Sequence, residues 1–282
     1  MIRGKSCAKG RPLQFLMQIQ SKMGDFTCDL VISYYKEKLD WLKEFEGTAF
    51  RHIYIYTKGV EPAPPFQSDK FVIRKLENIG RCDHTYVYHI YKEWTNLADV
   101  TVFATGSGHL PHKNGNLRFI IPKVFETKDS VFRVMKEPGF IHKTKEDLDN
   151  FKIDSWRATN VSNQENSSKN ALSQSNIRPF GKWYESLFPG IELRHVAYGG
   201  VFAVSKKHIH NRKRAFYKKI VDMFPNHPNP EMGHYIERAW LSIFHPVPES
   251  SIYLESDHPP PPPKGGSRRR NTRRRRVRRA MV

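Results

Sequence analysis

No apolar run in this 282-residue chain approaches the roughly 20 residues that a helix needs to cross a bilayer. The opening stretch, MIRGKSCAKGRPLQF, has charges where a signal peptide would need a continuous apolar core. Cysteine is scarce: Cys7, Cys28 and Cys82 are odd in number and lack metal-ligand spacing, which argues against a disulfide framework and for a reducing compartment. The expectation is a soluble, cytoplasmic protein. It follows that the sequons Asn160-Val161-Ser162 and Asn166-Ser167-Ser168 go unused. The chain also lacks a P-loop and a dinucleotide fingerprint. Its His84 and His89 stand five apart rather than at the four-residue step of a helical zinc site.

Acid is the other shortage. Against 28 Asp and Glu stand 47 Lys and Arg, a net charge of +19. Residues 264–282 contribute one lysine and nine arginines with no acid, so a little under half of that charge belongs to the rest of the chain. A surface of this kind suits an anionic ligand such as a sugar nucleotide, nucleic acid or lipid headgroup. With 38% hydrophobic residues the chain can bury one main core. The reading is therefore a basic arm over 1–24, one catalytic-sized domain over 25–256 and a Pro/Arg-rich disordered tail over 257–282. Within the domain, residues 158–176 are rich in Asn, Ser, Gln and Thr and read as a mobile polar loop.

What is present is a strand–helix alternation. Phe26–Tyr34 reads as a first strand, and Tyr35, Leu39, Leu42 and Phe45 give a helical stripe. His52–Lys58 and 70–76 read as further strands. The stretch 76–108 organises the rest: Ile79, Cys82, Tyr86, Ile90 and Trp94 recur at helical steps, opposite Arg81, Thr85, Tyr88 and Lys92. A buried strand, Asp99–Phe103, then opens into Ala104–Gly108. Asp129 can cap a helix through Met135, His195–Ser205 reads as one strand, and a basic helix follows over 206–224. Asn229-Pro230-Glu231 starts a last helix that runs to Phe244. The fold class is α/β, with a mainly parallel sheet flanked by helices.

Four clusters could carry chemistry. On the last helix, Glu231, His234 and Arg238 form a column beside Glu237. That column is either a base tuned by its neighbours or a cap with a surface patch. The loop Thr105-Gly106-Ser107-Gly108, with His109 and His112, could offer amides to phosphate or sugar oxygens, or could be an ordinary turn. Asn78, Arg81, Asp83, His84, Tyr88 and His89 open the central helix, where an arginine suits a diphosphate; a solvated face is the alternative. The arginine tail would attract polyanions without sequence preference.

The blocks DLVISYYKEKLDWL, YIYTKG, NIGRCDHTYVYHI, NLADVTVFATG, YGGVFAVS and NPEMGHYIERAW, in this order, resemble the signature of a family found in fungi and large DNA viruses. The proline–arginine ending is similar to that of chlorovirus capsid-glycan glycosyltransferases, β-xylosyltransferases among them. The resemblance implies a GT-A-like domain that transfers a sugar from a nucleotide donor, with UDP as the expected nucleotide, to a glycan or glycoprotein hydroxyl. It implies Ser33, Tyr34, Asp40 and Lys58 near the donor's base and ribose, Arg81, Asp83 and His84 in the cleft, and Glu231, His234, Glu237 and Arg238 on the last helix. Thr105 and Gly106 join the donor side, and His109, Gly199 and Gly200 the acceptor side. Where GT-A enzymes carry Asp-x-Asp for a divalent metal, this chain reads Ala104-Thr105-Gly106-Ser107. A cation such as Arg81 or Lys58 is then expected to neutralise the diphosphate. For an inverting transfer the expected base is Glu237, with Glu231 and Asp83 behind it. The rival expectation is a non-catalytic protein that docks nucleic acid or a membrane surface.

Overall fold

A computed structural model of the chain describes residues 26–136, 142–154 and 172–255. The expected arm and tail, and residues 158–171 of the expected polar loop, lie outside the described residues. Seven residues of strand β1, Cys28–Tyr34, are all buried, as befits the middle of a parallel sheet covered on both faces. On one side of it lie β2 (Ile53–Thr57) and then β3 (Phe71–Lys75). On the other lie β4 (Val100–Thr105) and then β7 (Phe202–Ser205). The order is β3-β2-β1-β4-β7, with all pairs parallel except β4–β7. The protein is thus mixed α/β with a mostly parallel central sheet flanked by helices.

Side-chain alternation along the strands feeds two cores. Val31, Tyr54, Tyr56 and Phe103 face helices α1 (Arg81–Lys92), α6 (Arg214–Met223) and α7 (Glu231–Ile243). Leu30, Ile32, Ile55 and Val102 face helix α2 (Pro111–Thr127) and the 3-10 turn Asp40–Phe45. A small second sheet, β6 (His195–Val196), β5 (Phe132–Lys136) and β8 (Ile252–Leu254), flanks the first. Short helices α3 (Lys145–Asp149), α4 (Phe180–Leu187) and α5 (Lys206–Ile209) complete the described chain.

Several expectations are corrected. Asp129 caps no helix: Phe132 and Val134 turn inward from strand β5, and Asp129 pairs with Lys207. The expected strand 195–205 is two strands separated by a 3-10 turn, Tyr198–Gly200, because Gly199 and Gly200 take φ of +84° and +66°. The expected basic helix is two helices, α5 and α6, broken at 210–213. Residues 35–45 form only the short 3-10 turn. Helix α2 went unread because Pro111, Asn114, Gly115, Asn116 and Pro122 hide its period. Pro111 sits in its first turn, where a proline loses no hydrogen bond. Residues 172–176 are held: Ser173 N–H donates to Asn229 O at 3.3 Å.

Candidate active site

The chain winds outward from β1 through β2 to β3, then returns through α1 to β4 on β1's other side. That reversal makes the carboxyl ends of β1 and β4 the switch point at which doubly wound sheets hold ligands. Ser33 and Thr105 are register partners there. The two loops that leave the strands are tied together: Gly106 N–H donates to Ser33 O at 2.7 Å, and Trp41 Nε1 donates to Gly106 O at 2.9 Å. The amides of Gly106 and Gly108 are spent internally, the latter on Thr105 O. The loop's two hydroxyls, on Thr105 and Ser107, are buried and meet each other at 3.0 Å. Lys113, from the first turns of α2, donates from Nζ to Thr105 Oγ1 at 3.0 Å and to Ser107 Oγ at 2.9 Å. Sequence reasoning missed Lys113. Its signal was a lysine five residues past Gly108, in a helix that could not be read.

Arg81 stands opposite. It is a non-glycine residue with φ of +55°, directly after Gly80 at +62°. Such backbone costs about 1–3 kcal/mol and persists only where its surroundings over-determine it, often at functional sites. Here the surroundings do so. Gly80 N–H donates to His227 O at 2.9 Å, and Arg81 N–H to Pro228 O at 3.1 Å. Lys58 Nζ donates to the carbonyls of Ile79 and Arg81. Lys58 is buried, and that burial pulls it down to about 7, with the neighbouring Cys82 and Asp83 opposing the shift. Through these two carbonyls its Nζ holds the turn that carries Arg81. The Arg81 guanidinium lies 2.9 Å from His234 Nδ1. Burial, then Arg81 and Arg238, push His234 down to about 2, so it stays neutral.

Helix α7 meets α1 where Gly233 has no side chain. A Cβ there would lie 3.7 Å from Asp83 Oδ2 and 3.8 Å from Arg81 Cδ. Glu237, one turn on, shares that stripe and faces the same neighbours. Its charge acts on Arg81, Asp83 and Lys113. Glu237 Oε1 accepts Gly199 N–H at 3.0 Å, which explains the left-handed turn 198–200. Oε2 takes no hydrogen bond from the described residues. Asp83 is 1% exposed, and burial first, then the Glu237 charge, raise it out of the ordinary carboxylate range. Burial pushes the adjacent Cys82 thiol up to about 12, which removes it as a nucleophile. Two cations, Arg81 and Lys113, and two carboxyls, Asp83 and Glu237, thus converge on the switch point.

The other expected residues sort differently. Ser33 Oγ and Thr85 Oγ1 meet at 2.9 Å, so the supposed solvent face of α1 is buried at Thr85. Tyr34 lies in the α2-side core. Asp40 is exposed and pairs with Lys43 at 3.4 Å. His84 packs on Phe224 with ring centroids 5.2 Å apart. His109 is exposed. Gly200 is a close approach: a Cβ would lie 3.0 Å from Cys82 Sγ. Arg238 is held over the Phe151 ring at 3.7 Å and donates to His142 Nε2. Glu231 is neither base nor surface cap. It is fully buried and accepts from Ile153 N–H, Ser175 N–H and Tyr235 OH at 2.8, 2.9 and 2.8 Å, and it pairs with Arg178. A groove of about 1320 Å³ runs between α3, α4 and residues 190–195 and contains none of the converging groups.

Among the described residues, no group of three or more His, Cys, Asp or Glu side chains is placed to hold a metal ion. At the Asp-x-Asp position the hydroxyls of Thr105 and Ser107 bind an ammonium, an environment that does not fit a divalent cation.

The fold is that of an α/β protein, with Arg81, Lys113, Asp83 and Glu237 at one edge of its mostly parallel sheet. The chain belongs to the family described as "Protein of unknown function (DUF3431)", which matches residues 30–256. No curated protein matches it.

Proposed function

We propose that the protein is a glycosyltransferase with a GT-A-like domain that moves a sugar from a nucleotide donor to a glycan hydroxyl. The donor is taken to be a UDP-sugar, with xylose the first to test, and the setting capsid-glycan synthesis. The observation that carries this reading is the pairing of Arg81 and Lys113 with Glu237 across the switch point. The cations suit a diphosphate leaving group. Glu237 Oε2, clear of hydrogen bonds from the described residues, suits the acceptor's proton.

In one in-line displacement the acceptor oxygen bonds the anomeric carbon while the bond to the diphosphate breaks. The proton passes to Glu237 and the negative charge to the diphosphate beside Arg81 and Lys113. The anomeric centre inverts. Glu237→Gln is expected to abolish transfer while nucleotide-sugar binding survives; turnover near the parental rate would remove Glu237 from the role.

One observation favours a second reading. Lys206, Lys207, Lys213, Arg214, Lys218 and Lys219 lie on α5, α6 and their junction without an intervening acid. All but Lys206 are exposed, and although Lys207 pairs with Asp129 and Lys218 with Asp222, the cations of this stretch outnumber those acids. A protein that only docks polyanions would show salt-sensitive binding through this stretch and no thermal stabilisation by a sugar nucleotide.

A further inference from the structure

Glu237 is aimed by a turn, and that turn is held from α1. Glu237 Oε1 accepts the Gly199 amide at 3.0 Å. The next residue, Gly200, is buried, and its carbonyl accepts the Tyr86 hydroxyl at 2.8 Å. Gly200 is also wedged in place, since a Cβ there would lie 3.0 Å from Cys82 Sγ and 3.2 Å from Thr105 Cγ2. The turn that holds Glu237 therefore sits in contact with Thr105, whose hydroxyl Lys113 bonds.

Tyr86 is fixed as firmly as the turn it holds. It is fully buried, with its ring 4.8 Å from Phe103, 5.9 Å from Phe202 and 5.9 Å from Trp240 between centroids. Burial, with Cys82 and Asp83 adding to it, holds the phenol well above its ordinary range, so it stays protonated and donates. Buried tyrosines commonly find some partner for the hydroxyl. Tyr217 is a plain case: fully buried, it donates to Ile209 O at 2.7 Å and ties α6 to α5, which carry none of the converging groups. Tyr86 differs in what lies beyond its carbonyl, because Gly200 is bonded to the residue whose amide holds Glu237.

We propose that Tyr86 is a positioning residue for Glu237, its phenol fixing the turn whose Gly199 amide holds Oε1 and so leaves Oε2 for the acceptor. This rests on the transferase reading above. A base must lie within hydrogen-bond reach of the proton it takes, and a misplacement of about 1 Å can cost about a hundredfold in rate. Removing the phenol frees the Gly200 carbonyl and loosens the turn under Glu237. Arg81 and Lys113 are held by other partners, so their hold on a diphosphate should not depend on it.

The test uses the full chain and its Tyr86→Phe and Tyr217→Phe variants, each of which loses one buried hydroxyl and keeps the ring. Nucleotide release is followed with UDP-xylose, UDP-glucose and GDP-mannose as donors and methyl glucoside, methyl xyloside and methyl galactoside as acceptors. Melting temperatures are taken with and without donor. For the donor that the parent turns over, Tyr86→Phe is expected to lower kcat about tenfold to a hundredfold. Its donor KM, and the rise in melting temperature on adding donor, should stay parental. Tyr217→Phe should lower the unliganded melting temperature by a similar few degrees and keep the parental kcat. Parental kcat in Tyr86→Phe would overturn the inference and leave the transferase reading standing. A fall in kcat matched by lost donor binding, or by an equal fall in Tyr217→Phe, would make the phenol merely structural and overturn it too. A parent that releases nucleotide from none of the donors would overturn the transferase reading, and this inference with it.

Discussion

Arg81 carries a backbone conformation that glycine would adopt at no steric cost, and the chain keeps an arginine there. If its guanidinium serves ligand binding, Arg81→Gly should leave the melting temperature unchanged or raise it slightly, by the equivalent of about 1 kcal/mol of relieved backbone strain. Stabilisation by a nucleotide sugar should vanish in the same variant. A large drop in melting temperature would show that Arg81 is there for packing. Asp83 gives a pH test. Its raised folded-state value means that, above the ordinary carboxylate range, the folded protein keeps a proton that the unfolded chain has lost. Stability contributed at this site therefore falls as pH rises through that window. The urea-melting advantage of Asp83→Asn should accordingly widen from about pH 4 toward neutrality; a constant gap would contradict it. At this scale the sequence showed residue types and helical spacing, so Arg81, Asp83 and Glu237 could be named. It could not show that Glu231, three residues before His234, points into a different set of partners. Nor could it show that Lys113 reaches back to Thr105 and Ser107.

At the scale of elements, two contacts decide how firmly the site is held. Glu231 ties the chain at Ile153 and Ser175 to the start of α7, so Glu231→Ala orphans buried groups worth about 1–3 kcal/mol. It should lower the melting temperature by several degrees, whereas Glu237→Gln should barely move it; equal effects would mean that the two glutamates have been misassigned. Gly108 backs onto Trp41, where a Cβ would lie 2.6 Å from Trp41 Cε2. Gly108→Ala should therefore destabilise by about 1–3 kcal/mol through overpacking, read as a lower urea midpoint. Strands β1, β2 and β4 and helices α1 and α7 were legible because each has a long apolar run or a full helical stripe. Strand β5 was not: Phe132 and Val134 alternate over only five residues, and a capping Asp129 before them imitates a helix start. The interruption at Gly199 and Gly200 was visible as glycine. That it forms a left-handed turn under Glu237 depends on a partner 38 residues away.

Across the whole molecule, strand order does what no single stretch of sequence announces. The reversal between β1 and β4 brings together loops that follow residues 34 and 105, and α7 closes over them from near the end of the described chain. Alternation of strands and helices made a parallel sheet readable, but the order β3-β2-β1-β4-β7 and the antiparallel β7 depend on long-range pairing. The account's central claim is that this edge binds a sugar nucleotide between Arg81 and Lys113. The most direct measurement is a thermal melt of the full-length protein with the panel of nucleotide sugars, repeated on Lys113→Ala. A ligand that binds only the native state at about a hundred times its dissociation constant adds about 2.7 kcal/mol. The account predicts that at least one donor raises the parental melting temperature by several degrees and that Lys113→Ala loses most of that rise. No shift with any donor, or an undiminished shift in the variant, would contradict it.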